Sequence, residues 1–358
     1  MPKILTVVGA RPQFVKAAAL SRALKKIGIN EVLVHTGQHF DENMAEIFFR
    51  QMDIPEPKYN LGINSLSHGA MTGRMLEEIE KVLIVEKPSV VVVFGDTNST
   101  LAGALAAIKL HIPVAHIEAG LRSYNMKMPE EINRILTDRI SNYLFCPTEV
   151  AIKNLQAEGF DNFEINILKT GDVMYDVALY YSRFSNERST IIKDLGLNKK
   201  PFLLTTLHRQ ENTDDLFRLN SIISALNSLS KDYQIVLPIH PRTRKILQNE
   251  NIKLNFDPIE PVGYFDMIEL LKHCKMGITD SGRVQKEAFF FEKHCLVTRD
   301  ETEWTELVDL NYNFMVGADT DKIIKTVAKV AKTSAKFDVK PYGEGNAADK
   351  IALILKDI

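Results

Sequence analysis

Acidic residues stand just after several apolar runs of this sequence, and that placement points to proton chemistry. Asp96 follows Val90-Val91-Val92-Val93-Phe94-Gly95, and Glu118 follows Val114-Ala115-His116-Ile117. Glu130 opens a helical stretch after a short loop, with Glu131 next to it. A carboxylate held at a strand end can take or give a proton, or stabilise a developing positive charge. Each acid alone has a plainer explanation. Asp96 or Thr97 can cap a helix, Glu118 can pair with Arg122, and Glu130 and Glu131 suit the positive end of a helix dipole. Three acids sent to one cleft by neighbouring segments are expected to act together.

Cations and small residues occupy the corresponding places elsewhere. Gly9-Ala10-Arg11-Pro12 turns the chain out of the first apolar run, and a helix start flanked by Arg11 and Lys16 suits a diphosphate. His208 and Arg209 follow a later run, His208 as a proton donor or charge stabiliser; His240, with Arg242 and Arg244, repeats the theme. Thr279-Asp280-Ser281-Gly282 joins an apolar run to a helix, where backbone N–H groups and the Ser281 hydroxyl can cradle phosphate. Glu287, one turn later, can accept from ribose hydroxyls; a surface glutamate is the plain alternative. The dinucleotide glycine fingerprint and the Gly-Lys-Ser/Thr phosphate loop are both absent, which removes support from oxidoreductases and kinases of those types. His35 and His39 lack a completing Cys/His cluster, so no catalytic metal is expected.

Alternating elements must position these residues. Strands are expected at Ile4–Val8, Glu31–His35, Val90–Phe94, Val114–Ile117 and Tyr143–Cys146. Helices are expected near Pro12–Lys26, Asp41–Met52, His68–Val85, Thr100–Leu110 and Glu131–Ile140. The pattern restarts near residue 176, with strands at Phe202–Thr206, Gln234–Pro238, Met276–Thr279 and Leu296–Thr298. Helices at Leu216–Leu229, Met267–Cys274 and Val284–Phe291 separate them. Such alternation predicts an α/β fold of two Rossmann-like domains with a central cleft. Residues 1–175 form the acid-bearing domain and 176–358 the second, whose last helix, Gly345–Lys356, is expected to return to the first.

A length of 358 residues suits two such domains. A net charge of −2 supplies no global basic field, so neither nucleic acid nor membrane is an expected partner. Three cysteines in no close pairing argue against a secreted disulfide framework. With no leader-like start and no apolar run long enough to span a bilayer, a cytoplasmic location is expected.

Taken in order, the stretches Gly9–Pro12, Thr36–His39, Gly95–Thr97, Glu118–Arg122, Pro129–Arg134, His208–Glu211, Thr279–Gly282 and Arg299–Glu303 resemble the non-hydrolysing UDP-N-acetylglucosamine 2-epimerases, as do Pro341-Tyr342-Gly343 and Gly345. The resemblance covers nearly the whole chain. It implies the glycosyltransferase-B type of fold, a homodimer, UDP bound mainly by the C-terminal domain, and a reaction without NAD or other cofactor. UDP is eliminated to a bound 2-acetamidoglucal and re-added to give the carbon-2 epimer. Asp96, Glu118 and Glu130 match the family's catalytic acids, and His208 its diphosphate-facing histidine. Arg11, Lys16, Arg134, Arg209, His240, Ser281, Gly282 and Glu287 fall on binding positions.

The chain departs from the family pattern in three places. Arg283 replaces the usual second glycine after Ser281-Gly282, and the loop Ser123–Met128 is short. Gln38 and His39 match the activator site of bacterial members, whereas Asp41 and the region 64–68 do not. The expected substrate is UDP-N-acetylglucosamine, for surface-polysaccharide precursors. The short loop and Asp300-Glu301-Thr302-Glu303-Trp304 point to an alternative, UDP-2,3-diacetamido-2,3-dideoxy-glucuronic acid. A UDP-sugar-dependent glycosyltransferase and an inactive UDP-sugar sensor are the readings of another class.

Overall fold

A computed structural model describes residues 2–38, 55–333 and 336–358, with Arg11 described for its backbone alone. The expected helix at 41–52, His39 and the Arg11 side chain lie outside the described residues. Strands β1 (Lys3–Val8), β2 (Asn30–His35), β3 (Tyr59–Asn60), β4 (Val90–Phe94), β5 (Val114–Ile117), β6 (Tyr143–Cys146) and β7 (Asn166–Lys169) form one parallel sheet. Their order is β3-β2-β1-β4-β5-β6-β7. Strands β8 (Phe202–Thr206), β9 (Gln234–Val236), β10 (Met276–Thr279), β11 (Cys295–Val297) and β12 (Asn313–Met315) form a second, ordered β12-β11-β10-β8-β9. Every strand pair among the described residues is parallel.

The chain divides into two compact units, Met1–Val177 with Lys340–Ile358, and Ala178–Val339. The last helix, Ala347–Lys356, packs on the helix Arg11–Lys26 within the first unit. Ala348 donates its N–H to Asp176 Oδ2 at 2.7 Å. The carbonyl of Tyr342, a fully buried residue, accepts the N–H of Asp172 at 3.0 Å, and Gly171 must be glycine there. At its φ of +96° a side chain would be strained, and it would press on the Tyr342 carbonyl.

Apolar sequence explains the packing. Val90, Val91, Val92 and Val93 are wholly buried because helices cover both faces of a parallel sheet. Each such side chain contributes about 1.5–3 kcal/mol over its exposed state. The helix Asn98–Lys109 comes unusually close to the sheet. A Cβ on Gly103 would lie 3.2 Å from Val7 and Val93, and Ala102, Ala104, Ala106 and Ala107 keep the rest of that helix thin. In the second unit, one core joins Leu203, Ile235, Ile278 and Leu296 to the helices Leu216–Leu229 and Thr320–Val330. Another joins Phe202, Leu204, Val236 and Cys295 to Leu270, Leu271 and Ala288. Phe289 and Phe290 are core residues, Phe289 packing against Tyr312 at 5.0 Å. All three cysteines are buried and unpaired with one another, and burial pushes the Cys274 thiol up to about 12. Among the described residues no helix is long and apolar enough to cross a membrane.

Both sheets reverse their winding direction at one place. In the first it lies between β1 and β4, in the second between β8 and β10. Ligands of open α/β sheets bind outside the carboxyl ends of the strands at such switch points. Gly9 and Asp96 follow β1 and β4; His208 and Asp280 follow β8 and β10.

Candidate active site

The first unit ties its strand-end turns together through Gln13. Its Oε1 accepts the N–H groups of Gly9 (2.8 Å) and Ala10 (3.0 Å). Its Nε2 donates to the Phe94 carbonyl (2.8 Å) and to the Thr97 and Thr100 hydroxyls (3.0 and 2.9 Å). One buried amide thus registers the turn after β1 against the turn after β4. Gly9 leaves no room for a side chain, since a Cβ would overlap the Thr36 and Ser99 hydroxyls.

Lys16 sits one turn further along the same helix and is buried. It forms an ion pair with Glu118, not the Glu118–Arg122 pair considered from sequence. Arg122 instead serves Asp138 and Glu158. The Lys16–Glu118 pair lies over Gly95. A Cβ there would stand 3.2 Å from Glu118 Oε2 and 3.5 Å from Lys16 Nζ. Glu118 itself has φ +71°, a left-handed conformation costing roughly 1–2 kcal/mol for a residue with a side chain. Strain of that kind, on an acid at a strand end, fits a position selected for where it aims its carboxylate.

Asp96 pairs with Arg134, whose other nitrogen donates to Glu131 at 2.9 Å. About a third of the Asp96 side chain is accessible (32%), yet protein crowds the carboxyl. Burial raises its proton affinity above the usual carboxylate range; Glu118 adds to the rise, while Arg134 and Lys16 oppose it. Asn133 donates to the Asp96 carbonyl (3.0 Å) and to Asn98 Oδ1 (3.2 Å). Glu131 is fully buried and accepts the N–H groups of Ser123 (3.0 Å) and Tyr124 (2.9 Å), which folds the short loop. Two of the three expected acids are therefore neighbours. Glu130 is exposed on the first turn of the helix Pro129–Ile140, and among the described contacts none joins it to that pair.

In the second unit Asp280 organises the turn after β10. Its Oδ2 accepts the N–H groups of His208 and Arg209, both at 2.9 Å, and its Oδ1 lies 3.2 Å from His208 Nδ1. Burial lowers the His208 pKa below 6.5, against the pull of Asp280. The Thr206 and Thr279 hydroxyls bond each other, and Thr279 Oγ1 accepts Ser281 N–H at 2.9 Å. Ser281 is the N-cap of the helix Gly282–Phe290, but its hydroxyl makes no capping bond. A Cβ on Gly282 would strike the Glu303 carboxylate, which Arg299 holds at 2.9 Å.

Glu287 is buried, which removes its surface-glutamate alternative, and Arg283 Nε reaches its Oε2 at 3.3 Å. That i,i+4 pair runs along the helix, and the Arg283 charge also acts on His208. His240 is the N-cap of the helix Pro241–Asn249, its Nδ1 accepting from Arg242 N–H at 3.2 Å, so part of it is spent on local structure. Arg242 and Arg244 pair with Asp214 and Glu260. Gln38 accepts from Ser99 N–H at 3.1 Å and from its hydroxyl at 2.7 Å. His35 is buried edge-on to Phe14, 4.9 Å away, and burial lowers its pKa to about 4. Among the described residues no group of three His, Cys, Asp or Glu side chains is placed to hold a metal ion.

Gln13, Asn133, Glu131, Asp280, Arg299 and Glu303 have structural roles that the sequence did not assign. Asp280, Arg299 and Glu303 lie inside the motif stretches. Glu131 and Asn133 lie inside the stretch Pro129–Arg134, and Gln13 carries no signal beyond lying near a helix start.

Known proteins resemble this chain over nearly its whole length. The profile of the family described as UDP-N-acetylglucosamine 2-epimerase matches residues 22–356. The UDP-2,3-diacetamido-2,3-dideoxy-D-glucuronate 2-epimerase of Pseudomonas aeruginosa is 54% identical, over 98% of each chain. The crystal structure of the Methanocaldococcus jannaschii UDP-GlcNAc 2-epimerase, in complex with UDP-GlcNAc and UDP, is 43% identical with a TM-score of 0.89, covering 99% of this chain and 100% of that one. The Neisseria meningitidis UDP-GlcNAc 2-epimerase bound to UDP-GlcNAc is 32% identical with a TM-score of 0.88, covering 99% and 100%. With two parallel sheets of the glycosyltransferase-B-like kind and identity along its whole length, this chain belongs to the UDP-N-acetylglucosamine 2-epimerase family and is a UDP-sugar 2-epimerase, an isomerase.

Proposed function

We propose that the chain inverts carbon-2 of UDP-2,3-diacetamido-2,3-dideoxy-glucuronic acid. The observation that carries this sugar is the 54% identity to the Pseudomonas enzyme named for it, against 43% to the Methanocaldococcus enzyme named for UDP-N-acetylglucosamine. UDP-N-acetylglucosamine, first choice on sequence alone, becomes the second reading; it is favoured by the solved relatives that hold it.

Either sugar poses the same chemical problem. Carbon-2 is not next to a carbonyl, so its proton is not acidic until the bond from carbon-1 to the diphosphate oxygen weakens. UDP leaves with the bonding pair, a carboxylate takes the carbon-2 proton, and a double bond forms between carbons 1 and 2. Proton delivery to the opposite face and return of the UDP oxygen to carbon-1 give the epimer. No step of this scheme moves a hydride, so it calls for no NAD.

Asp96, Glu118 and Glu130 share the proton and charge chemistry in this scheme. The raised proton affinity of Asp96 suits a group that must both take and give a proton. Lys16 and Arg134 hold Glu118 and Asp96 in place. His208, Arg209, Ser281 and Gly282 receive the diphosphate, and Glu287 the ribose, with Arg11 and His240 as further binding residues. A cytoplasmic homodimer is the assembly that the family resemblance supports.

The test compares kcat/KM for the two sugars on one preparation. A carboxylate that gains one charged contact should favour the glucuronate by roughly 10–100-fold. Equal values, or a preference for UDP-N-acetylglucosamine, would return the substrate to the second reading.

A further inference from the structure

We propose that His116 and Asp138 are positioning residues that lock the turn bearing Asp96 and the turn bearing Glu118 into one rigid piece. The proposal rests on the reading of those two acids as the groups acting at carbon-2.

His116 is wholly buried, two residues before Glu118 on β5. Its Nε2 donates to the Gly95 carbonyl at 2.7 Å, one residue before Asp96. Its Nδ1 donates to Asp138 Oδ1 at 2.7 Å. Both ring nitrogens face acceptors, so the ring is a double donor. The other carboxylate oxygen of Asp138 accepts Gly120 N–H at 3.1 Å and Arg122 Nη1 at 2.7 Å. One imidazole–carboxylate pair therefore grips the backbone just before Asp96 and on both sides of Glu118. Glu118 (φ +71°) holds a left-handed conformation that a residue with a side chain would leave in an unrestrained turn, and Gly95 (φ +61°) supplies the turn before Asp96 at no such cost.

Arg122 closes the network. Its guanidinium bonds Glu158 in a fork, at 2.6 and 2.8 Å, and donates to the Leu121 carbonyl at 2.6 Å. Burial alone would raise the Asp138 pKa, but the His116 hydrogen bond and the charges of His116 and Arg122 hold it below the ordinary range. It stays an acceptor on both oxygens. Burying this many charges yields little net stability compared with an apolar core of the same shape. What an apolar core would not supply is a fixed distance between the two acids. None of the four side chains needs to touch substrate for this role.

The test measures kcat, KM, UDP affinity and melting temperature for Asp138→Asn, His116→Ala and His116→Gln. The first change keeps the side chain's shape and removes its charge; the last restores one donor toward the Gly95 carbonyl. We expect folded variants with UDP affinity unchanged, a kcat loss of roughly 10²-fold for Asp138→Asn and His116→Ala, and partial recovery in His116→Gln. Folded Asp138→Asn with near-normal kcat overturns the clamp. So does a joint fall of kcat, UDP affinity and melting temperature without recovery in His116→Gln, because that marks general loosening. Asp96→Asn and Glu118→Gln run alongside. If those two turn over normally the acid assignment fails; if they are inactive and Asp138→Asn is normal, only the clamp fails.

Discussion

Asp280→Asn is the most informative single change in the second unit. The carboxylate is fully buried and takes two backbone N–H groups on one oxygen, while its other oxygen stands 3.2 Å from His208 Nδ1. A charged acceptor contributes about 1.5–3 kcal/mol per bond and a neutral one about 1, so the amide loses roughly 1–4 kcal/mol over the pair. At about 2–4 °C per kcal/mol for a domain of this size, the melting temperature falls by several degrees. Function changes as well. Beside a carboxylate, His208 keeps its proton on Nδ1; beside the amide that Asp280→Asn introduces, Nδ1 can become the acceptor, which turns the tautomer round. Asp280 also attracts the charged ring, whose pKa burial already lowers. Losing a charged hydrogen bond to the diphosphate costs about 1.5–3 kcal/mol, or roughly 10–150-fold in affinity. The imidazolium contribution is present below the His208 pKa and lost as pH rises through it. The binding deficit of the variant is therefore largest in acid and shrinks in alkali. Calorimetry of UDP binding across that range, with melting curves, reads both effects. Unchanged melting and unchanged affinity at every pH would refute this role for Asp280.

Arg134→Gln removes a cation that holds Asp96 down, so the Asp96 pKa rises further and the acid limb of kcat/KM against pH moves to higher pH; an unmoved limb would contradict the coupling. Glu86→Gln tests stability far from the site. Lys58 Nζ (2.6 Å), Tyr59 OH (2.5 Å) and Lys3 Nζ (3.3 Å) meet on Glu86, and those bonds hold its carboxyl at about 2 instead of 4.5. Such a group adds stability above its unfolded pKa and loses it as pH falls through the folded one. Because Lys58 is exposed and Lys3 partly so, screening leaves roughly 1 kcal/mol. Denaturant melts should show wild type and Glu86→Gln differing by about that much at neutral pH and converging below pH about 2.

The βα periodicity was legible wherever a strand is buried on both faces. Val90–Phe94 and Met276–Thr279 announce themselves, and their bounds agree with the structure. Short edge strands gave no such signal. Tyr59–Asn60 has two residues and Asn166–Lys169 is only half-buried, so neither shows a run of apolar side chains. Within the site, residues that end a strand and carry charge were legible from their position. Their partners were not. Lys16 meets Glu118 across 102 positions of sequence, and Gln13 reaches Phe94 across 81, because only the order β1-β4-β5 makes those turns neighbours. A pair of Glu118 with Arg122, four apart, was the plain alternative; the positive φ at Glu118 aims it at Lys16 instead. Glu287 had a surface glutamate as its plain alternative, because helix position alone does not say which face the second sheet covers; it is buried.

In the proposed reaction carbon-2 exchanges its proton while UDP stays in the active site. Proton NMR of the purified protein with each UDP-sugar in deuterated water tests it most directly. The expected result is a new epimer with deuterium at carbon-2, little accumulating UDP, and loss of both epimer and exchange in Asp96→Asn and Glu118→Gln. Epimer formed with its original proton retained, or UDP released in step with free sugar, would contradict it.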